Sequence, residues 1–293
     1  MHGSNALAVP FWNFSGKWAQ DTSNIDFKSD MLSFADFLEK RHNTFPFKID
    51  FQQFKEDINA GLYFESTIPM GYGVGSSGAL CAAVYGRYVA NGISPNCLDN
   101  RLSELKTHLS LIESYFHGSS SGIDPLISYT QSAIFLENSG ELRRISLDDS
   151  EEQFTVFLID SEKRGRTSGN IKIFNDLVKE EYYLQDLKSN YNPLVNRCIS
   201  SFLEENTCDF LLNVSKLARK QQSLFESMIP TEFVKYFHLA KKSGRFSIKL
   251  CGSGSGGFLL GFTSDFEHVD CLLSNDVARL VPVHFGDVAP TLN

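Results

Sequence analysis

Cysteine pairs at redox or metal-ligand spacing are missing. The six cysteines, Cys81, Cys97, Cys198, Cys208, Cys251 and Cys271, are scattered, with no CxxC among them. Such spacing predicts neither a zinc site nor a disulfide framework. It predicts free, mostly buried thiols in a reducing compartment. Long basic runs are missing as well. The densest cluster, Lys163-Arg164-Gly165-Arg166, is short and the net charge is -8, so the footprint of a nucleic-acid binder is not there. No apolar stretch approaches the roughly 20 residues of a membrane span, and no basic segment followed by an apolar one resembles a signal peptide. Internal repeats and low-complexity tracts are also lacking. The expectation is a soluble, cytoplasmic protein with neither nucleic acid nor membrane as partner.

Material for a core is abundant. Apolar residues make up 42% of the 293, with 25 phenylalanines, which suits aromatic packing in one large domain or two smaller ones. A period-2 alternation over Gly61 to Thr67 predicts a strand ended by Pro69. Small and apolar residues after Ser76 predict a buried helix. Leu102, Leu105, Leu109, Ile112 and Phe116 recur at helical spacing within 98–116. Ile127 to Leu136 is expected to be a strand. The polar, acidic stretch Asn138 to Gln153 is the expected boundary, dividing the chain into domains 1–152 and 153–293. Strands follow at Phe154–Ile159, Phe246–Leu250, Phe258–Phe262 and Arg279–Phe285. Helices are expected near 168–189, 194–205, 209–228, 231–243 and 265–275. The alternation is mixed, which predicts two α+β domains over a doubly wound sheet.

The segment Pro69-Met70-Gly71-Tyr72-Gly73-Val74-Gly75-Ser76-Ser77-Gly78 stands out. Glycines let a backbone take positive φ and approach a ligand closely. Alternate glycines can aim successive N–H groups at an anion. A following helix adds its unpaired N–H groups and the positive end of its dipole. Ser76 and Ser77 can cap that helix or offer a hydroxyl to a cation. Together these make a phosphate cradle; a ligand-free glycine turn is the plain alternative. Gly73 to Gly78 also fits the dinucleotide pattern GxGxxG, with Asp99 downstream. That pattern needs a continuously apolar strand before it, and Glu65, Ser66, Thr67 and Pro69 stand there instead. A Walker A loop is excluded because no Gly-Lys-Ser/Thr follows.

Two further segments lie downstream in order. They are His117-Gly118-Ser119-Ser120-Ser121-Gly122-Ile123-Asp124 and Lys249-Leu250-Cys251-Gly252-Ser253-Gly254-Ser255-Gly256-Gly257. With the first loop they resemble the three motifs of the GHMP kinase superfamily, most closely those of mevalonate kinases. The departures are Val74 for leucine, Gly78 for alanine, Ser120 for proline, Pro125 for asparagine, and Cys251 and Ser255 for other small residues. The resemblance implies a GHMP fold: an N-terminal α/β domain with the ATP loop and a C-terminal ferredoxin-like α+β domain. It implies ATP and Mg2+ as cofactors and phosphorylation of a small-molecule alcohol, foremost mevalonate to 5-phosphomevalonate in isoprenoid biosynthesis. A phosphomevalonate kinase and a catalytically impaired nucleotide-binding pseudokinase are the alternatives. A homodimer is a form that many relatives take.

Residue roles follow from the same resemblance. Asp124 corresponds to the aspartate that faces the substrate hydroxyl; the alternative is a turn aspartate capping its loop. Glu113, eleven positions earlier, and Ser77 correspond to Mg2+ ligands, although a solvated surface glutamate would look the same. Such a pair suits Mg2+, which takes few protein oxygens beside phosphates and water. Thr167 corresponds to a hydroxyl near the transferred phosphate; it or Ser168 could equally cap the next helix. Pro69, Gly71, Gly73, Val74, Gly75, Ser76, Ser77 and Gly78 would line the nucleotide. Gly252, Gly254 and Gly256 would let the third segment pack against the first, or would form an ordinary strand turn. The family's opening motif, Pro-Gly-Lys-x-x-x-x-Gly-Glu-(His/Tyr), has no counterpart. His2 to Val9 matches the piece that normally follows it, and Ser15-Gly16-Lys17-Trp18 lies too far downstream to supply the lysine. A missing first strand and weak turnover with retained ATP binding are therefore expected.

Overall fold

The structure is a computed structural model. It describes residues 5–8, 16–20, 25–146, 154–160, 162, 167–254, 256–274 and 279–283. Strands β1 (Ala6–Ala8) and β2 (Gly16–Gln20) precede helix α1 (Ile25–Arg41), strand β3 (Lys48–Ile49), helix α2 (Phe51–Asn59) and strand β4 (Leu62–Ser66). The glycine loop then leads into α3 (Ser76–Tyr88), β5 (Val89–Ala90), α4 (Leu102–His117), α5 (Ile123–Thr130) and the strands β6 (Ala133–Leu136) and β7 (Leu142–Ile145). The later chain forms β8 (Thr155–Asp160), α6 (Thr167–Leu177), α7 (Glu181–Asp186), α8 (Asn192–Leu203), α9 (Thr207–Leu224) and α10 (Thr231–Ser243). It continues through β9 (Phe246–Leu250), β10 (Phe258–Thr263), α11 (Phe266–Ser274) and β11 (Leu280–Val283).

Two sheets organise these elements. The first is antiparallel in the order β1-β6-β7, and small pairs β2-β4 and β3-β5 lie beside it in the sequence-early half. Phe34, Leu38, Phe54, Cys81, Tyr85, Leu105, Leu109, Ile112 and Leu126 interlock α1 to α5 into one apolar core. The second sheet is antiparallel in the order β11-β8-β10-β9. Taken in chain order this is fourth-first-third-second with helices after the first and third strands, the ferredoxin-like arrangement.

Strand β8 shows why the second half has two apolar layers. Successive side chains of a strand point to opposite faces. Phe157 and Ile159 join Phe233, Phe237 and Val269 on one face. Val156 and Leu158 join Cys251, Phe258 and Val283 on the other. Tyr72 and Val74, from the glycine loop far upstream, pack into that second layer, with the Tyr72 and Phe258 ring centroids 5.0 Å apart.

One expectation fails locally. Ile127 to Leu136 is not one strand: Ile127 to Thr130 finish α5, and only Ala133 to Leu136 pair in the sheet. Gly122, with φ 74°, starts that helix, Leu126 N–H bonds the Gly122 carbonyl, and Gln131 at φ 50° ends it. An apolar run alone cannot separate a buried helix from a strand. Within the polar stretch from Asn138 to Gln153, β7 forms a hairpin with β6 around Gly140 at φ 90°. The two adjacent arginines between Leu142 and Ile145 break the period-2 pattern and hid a short strand. No helix among the described residues is long and apolar enough to cross a membrane.

Candidate active site

The glycine loop takes the backbone shape its residues predict. Gly71, Gly73 and Gly75 all sit at positive φ, at 81°, 74° and 80°. Between them Tyr72 and Val74 turn into the second half of the molecule. The loop is thus anchored on one side while its glycines stay free of side chains on the other. Gly75 caps α3, and Ala79 N–H bonds its carbonyl at 3.0 Å. Ser76 and Ser77 occupy the first turn of α3, where the helix presents unpaired N–H groups. Pro69 ends the approach from β4 and Met70 is exposed.

Helix α4 brings its last turns to this point. Glu113 is buried, and the Ser77 hydroxyl donates to its Oε1 at 3.1 Å. The Ser120 hydroxyl donates to the other oxygen, Oε2, while accepting from Gly122 N–H at 2.9 Å. His117, one turn after Glu113 on the same helix face, places Nε2 3.2 Å from the Ser77 hydroxyl. Among the described residues no basic side chain pairs with Glu113. Within the described residues its oxygens are met by the Ser77 and Ser120 hydroxyls and not by a countercharge.

Asp124 stands in the first turn of α5, directly behind the loop. A Cβ placed on Gly75 would meet the Asp124 Cβ at 3.7 Å, and one on Gly78 would collide with the Asp124–Pro125 backbone at 2.8 Å. The Asp124 side chain is open to solvent, yet the crowding around it raises its carboxyl pKa. The Glu113 charge raises it further, and His117 pulls it down. The direction follows from desolvation and like charge.

The third glycine segment closes the arrangement from the second half. Gly252 is at φ 52° and Gly254 at 74°. The Cα of Gly73 lies 3.0 Å from where a Gly252 Cβ would sit, and Phe258 N–H bonds the Tyr72 carbonyl at 3.3 Å. Gly256 is also at positive φ, whereas Ser255 lies outside the described residues. Thr167 opens α6, but its side chain and the basic residues 163–166 lie outside the described residues. Lys17 is elsewhere: it is exposed and pairs across the antiparallel β2-β4 strands with Glu65 at 3.2 Å.

Could these residues hold Mg2+? No group of three or more His, Cys, Asp and Glu side chains gathers as a metal cage among the described residues. The donor set is instead one buried carboxylate and one hydroxyl beside the glycine loop. That fits a hard cation which keeps waters and phosphate oxygens in its shell. Two residues of this cluster carried no assigned role in the sequence, His117 and Ser120. Their signals were present: His117 is four positions after Glu113, and Ser120 stands where the resemblance expects proline.

Similarity to known proteins agrees with this geometry. Residues 32–131 match the family model described as the GHMP kinases N terminal domain. No curated protein sequence matches the chain. Among solved structures, the L. major mevalonate kinase in complex with R-mevalonate superposes with a TM-score of 0.63 at 14% identity, over 97% of this chain and 90% of that one. The Methanococcus jannaschii mevalonate kinase gives 0.61 at 16%, over 97% and 92%. The Lactococcus lactis galactokinase complexed with galactose gives 0.64 at 13%, over 97% and 89%. At such identities the structural likeness speaks for the fold. Residues 32–131 are thus a GHMP kinase N-terminal domain, and around them the chain takes the GHMP kinase fold, similar to that of mevalonate kinases.

Proposed function

We propose that the chain is an ATP-dependent kinase of a small-molecule alcohol, with mevalonate the first candidate and 5-phosphomevalonate the product. A phosphomevalonate acceptor is the nearest variant. We further propose two domains, 1–152 and 153–293, in a cytoplasmic enzyme. One observation carries the reading: Ser77, Glu113 and Asp124, from three separate segments, meet at the rim of one glycine loop.

The residues suit the steps of phosphoryl transfer. Gly71, Gly73 and Gly75, with the N-terminus of α3, cradle the nucleotide phosphates. Bound Mg2+, held by Glu113 and Ser77, would neutralise phosphate charge. The acceptor oxygen forms a bond to the γ-phosphorus, the bond to the β,γ-bridging oxygen breaks, and ADP leaves with that electron pair. Asp124 takes the hydroxyl proton. Its raised pKa moves it toward the range in which a carboxylate is an effective base. Gly252 and Gly254 keep the far wall close, and Thr167 is proposed to lie near the transferred phosphate.

A second reading, a nucleotide-binding protein with weak turnover, is favoured by the setting of Asp124. Among the described residues the charges acting on it are Glu113 and His117, while Lys17 is held by Glu65 on the exposed β2-β4 strand pair. Both readings are tested by measuring ATP consumption against a panel of alcohols, mevalonate, phosphomevalonate and galactose among them. Acceptor-dependent ADP release that Asp124→Asn abolishes supports the kinase. ATP binding with no release on any acceptor supports the second reading, and no ATP binding at all removes both.

A further inference from the structure

Asn170, in the first turns of α6, is nine-tenths buried, although nothing in the proposed chemistry uses it. Its carboxamide nitrogen donates twice. One hydrogen bond goes to the Met228 carbonyl at 2.9 Å and the other to the Ser253 carbonyl at 2.8 Å. Ser253 lies in the third glycine segment, between Gly252 and Gly254. The other side of the same peptide unit is also held, because Gly254 N–H bonds the Cys251 carbonyl at 2.9 Å. The Ser253–Gly254 peptide plane is therefore pinned at both ends. The Cys251 carbonyl in turn faces the glycine loop, 3.0 Å from where a Gly73 Cβ would stand.

We infer that Asn170 is a positioning residue for the phosphate loop, acting through the Cys251–Gly254 turn on which Gly73 rests. The chain of contact runs from the amide to the Ser253 carbonyl, through the pinned peptide to the Cys251 carbonyl, and on to Gly73. Every link is backbone or a buried amide, so a rotation of the turn cannot be absorbed by a flexible side chain. A partly buried carbonyl that loses its donor must turn to another partner, water included, or shift. Both carbonyls that Asn170 serves lie outside the sheet, Ser253 in the turn before β10 and Met228 at the end of a short 3-10 helix before α10. The inference rests on the nucleotide-binding reading of Pro69–Gly78.

The test uses the full chain and a fluorescent N-methylanthraniloyl ATP with Mg2+. Asn170→Asp keeps the shape and replaces the donor with a carboxylate facing two carbonyls; Asn170→Ala removes it. Both should weaken nucleotide affinity about ten- to a hundredfold, the scale of a loop displaced by up to an ångström. Thr263→Val is the control. Thr263 is buried at the opposite end of β10 and bonds the Arg245 carbonyl, so its loss should lower the melting temperature and leave affinity within twofold. Hydrogen exchange gives a second readout in the alanine variant, with the Gly254 amide and residues 71–75 exchanging faster than in Thr263→Val. Absence of binding by the unaltered chain overturns the nucleotide reading and this inference together. If the unaltered chain binds and the Asn170 variants bind within twofold of it, or Thr263→Val loses as much, the inference alone falls.

Discussion

Gly78 is the position where restoring the family's usual residue should do harm. Alanine ordinarily improves a helix over glycine by about 1 kcal/mol, and Gly78 is the third residue of α3. However, its added Cβ would lie 2.8 Å from the Asp124 carbonyl carbon and the Pro125 nitrogen and 2.9 Å from the Asp124 Cβ. Two of these are backbone atoms, so no side chain can swing aside. Reaching ordinary contact near 3.4 Å requires a shift of about 0.6 Å between α3 and the start of α5. Overpacking of that kind costs about 1–3 kcal/mol. The helix gain offsets part of it, leaving Gly78→Ala between neutral and about 2 kcal/mol less stable, a melting temperature lower by up to ~4–8 °C. The kinetic effect should be larger in proportion, because the displaced residue is Asp124. A shift of half an ångström or more at a reacting group costs about tenfold or more in turnover. Thermal unfolding and acceptor-dependent ADP release measure the two effects on the same preparation. A variant that melts at least 2 °C higher and keeps full turnover would refute the packing of α3 against Asp124.

Asp124→Asn should abolish turnover and leave nucleotide affinity within about threefold. With the native residue, turnover should fall on acidification at a pH above the ordinary carboxylate range of about 4, since the crowding around Asp124 and the Glu113 charge raise this pKa. A profile flat down to pH 4 would contradict that. His108 is buried, accepts or donates to the Tyr85 hydroxyl at 2.9 Å, and has its pKa lowered by burial, with Glu104 opposing and Arg101 assisting. The unfolded chain then binds the proton more readily. Stability is present above the unfolded histidine pKa of about 6.5 and is lost as pH falls below it. His108→Gln should lose less melting temperature between pH 7.5 and 5.5 than the native chain; an equal loss would sink the assignment. Asn206 caps α9 by accepting from Asp209 N–H at 3.1 Å. Asn206→Ala should cost about 1 kcal/mol in denaturant unfolding with no change in nucleotide affinity.

Periodicity carried most of the fold. Leu102, Leu105, Leu109 and Ile112 announced α4, and all four are buried where the pattern put them. It failed where two rules compete: the apolar run from Ile127 fits helix or strand, and the outcome turns on Gly122 and Gln131 at positive φ, which are not visible as letters. At the candidate site, the glycine spacing foretold a loop of left-handed residues. The approach of Glu113 to Ser77 was legible only through resemblance. The part played by Ser120 showed only as a departure from the expected proline, and that of Asn170 was not legible at all. Ser120 donates its hydroxyl hydrogen to a group folded back upon it and Asn170 its two amide hydrogens to carbonyls remote in sequence, and no periodicity encodes such partners.

Tyr72 and Val74 lend the two halves of the chain a common fate. The residues that shape the loop in the first half complete an apolar layer in the second, beside Val156, Leu158 and Phe258. A fragment ending near residue 146 would present two uncovered side chains and a loop with nothing beneath it. A fragment beginning near 154 would have a hole in one face of its sheet. Split versions of this protein should therefore be sticky and unable to hold nucleotide when made apart, and should regain both solubility and binding when the pieces are produced together.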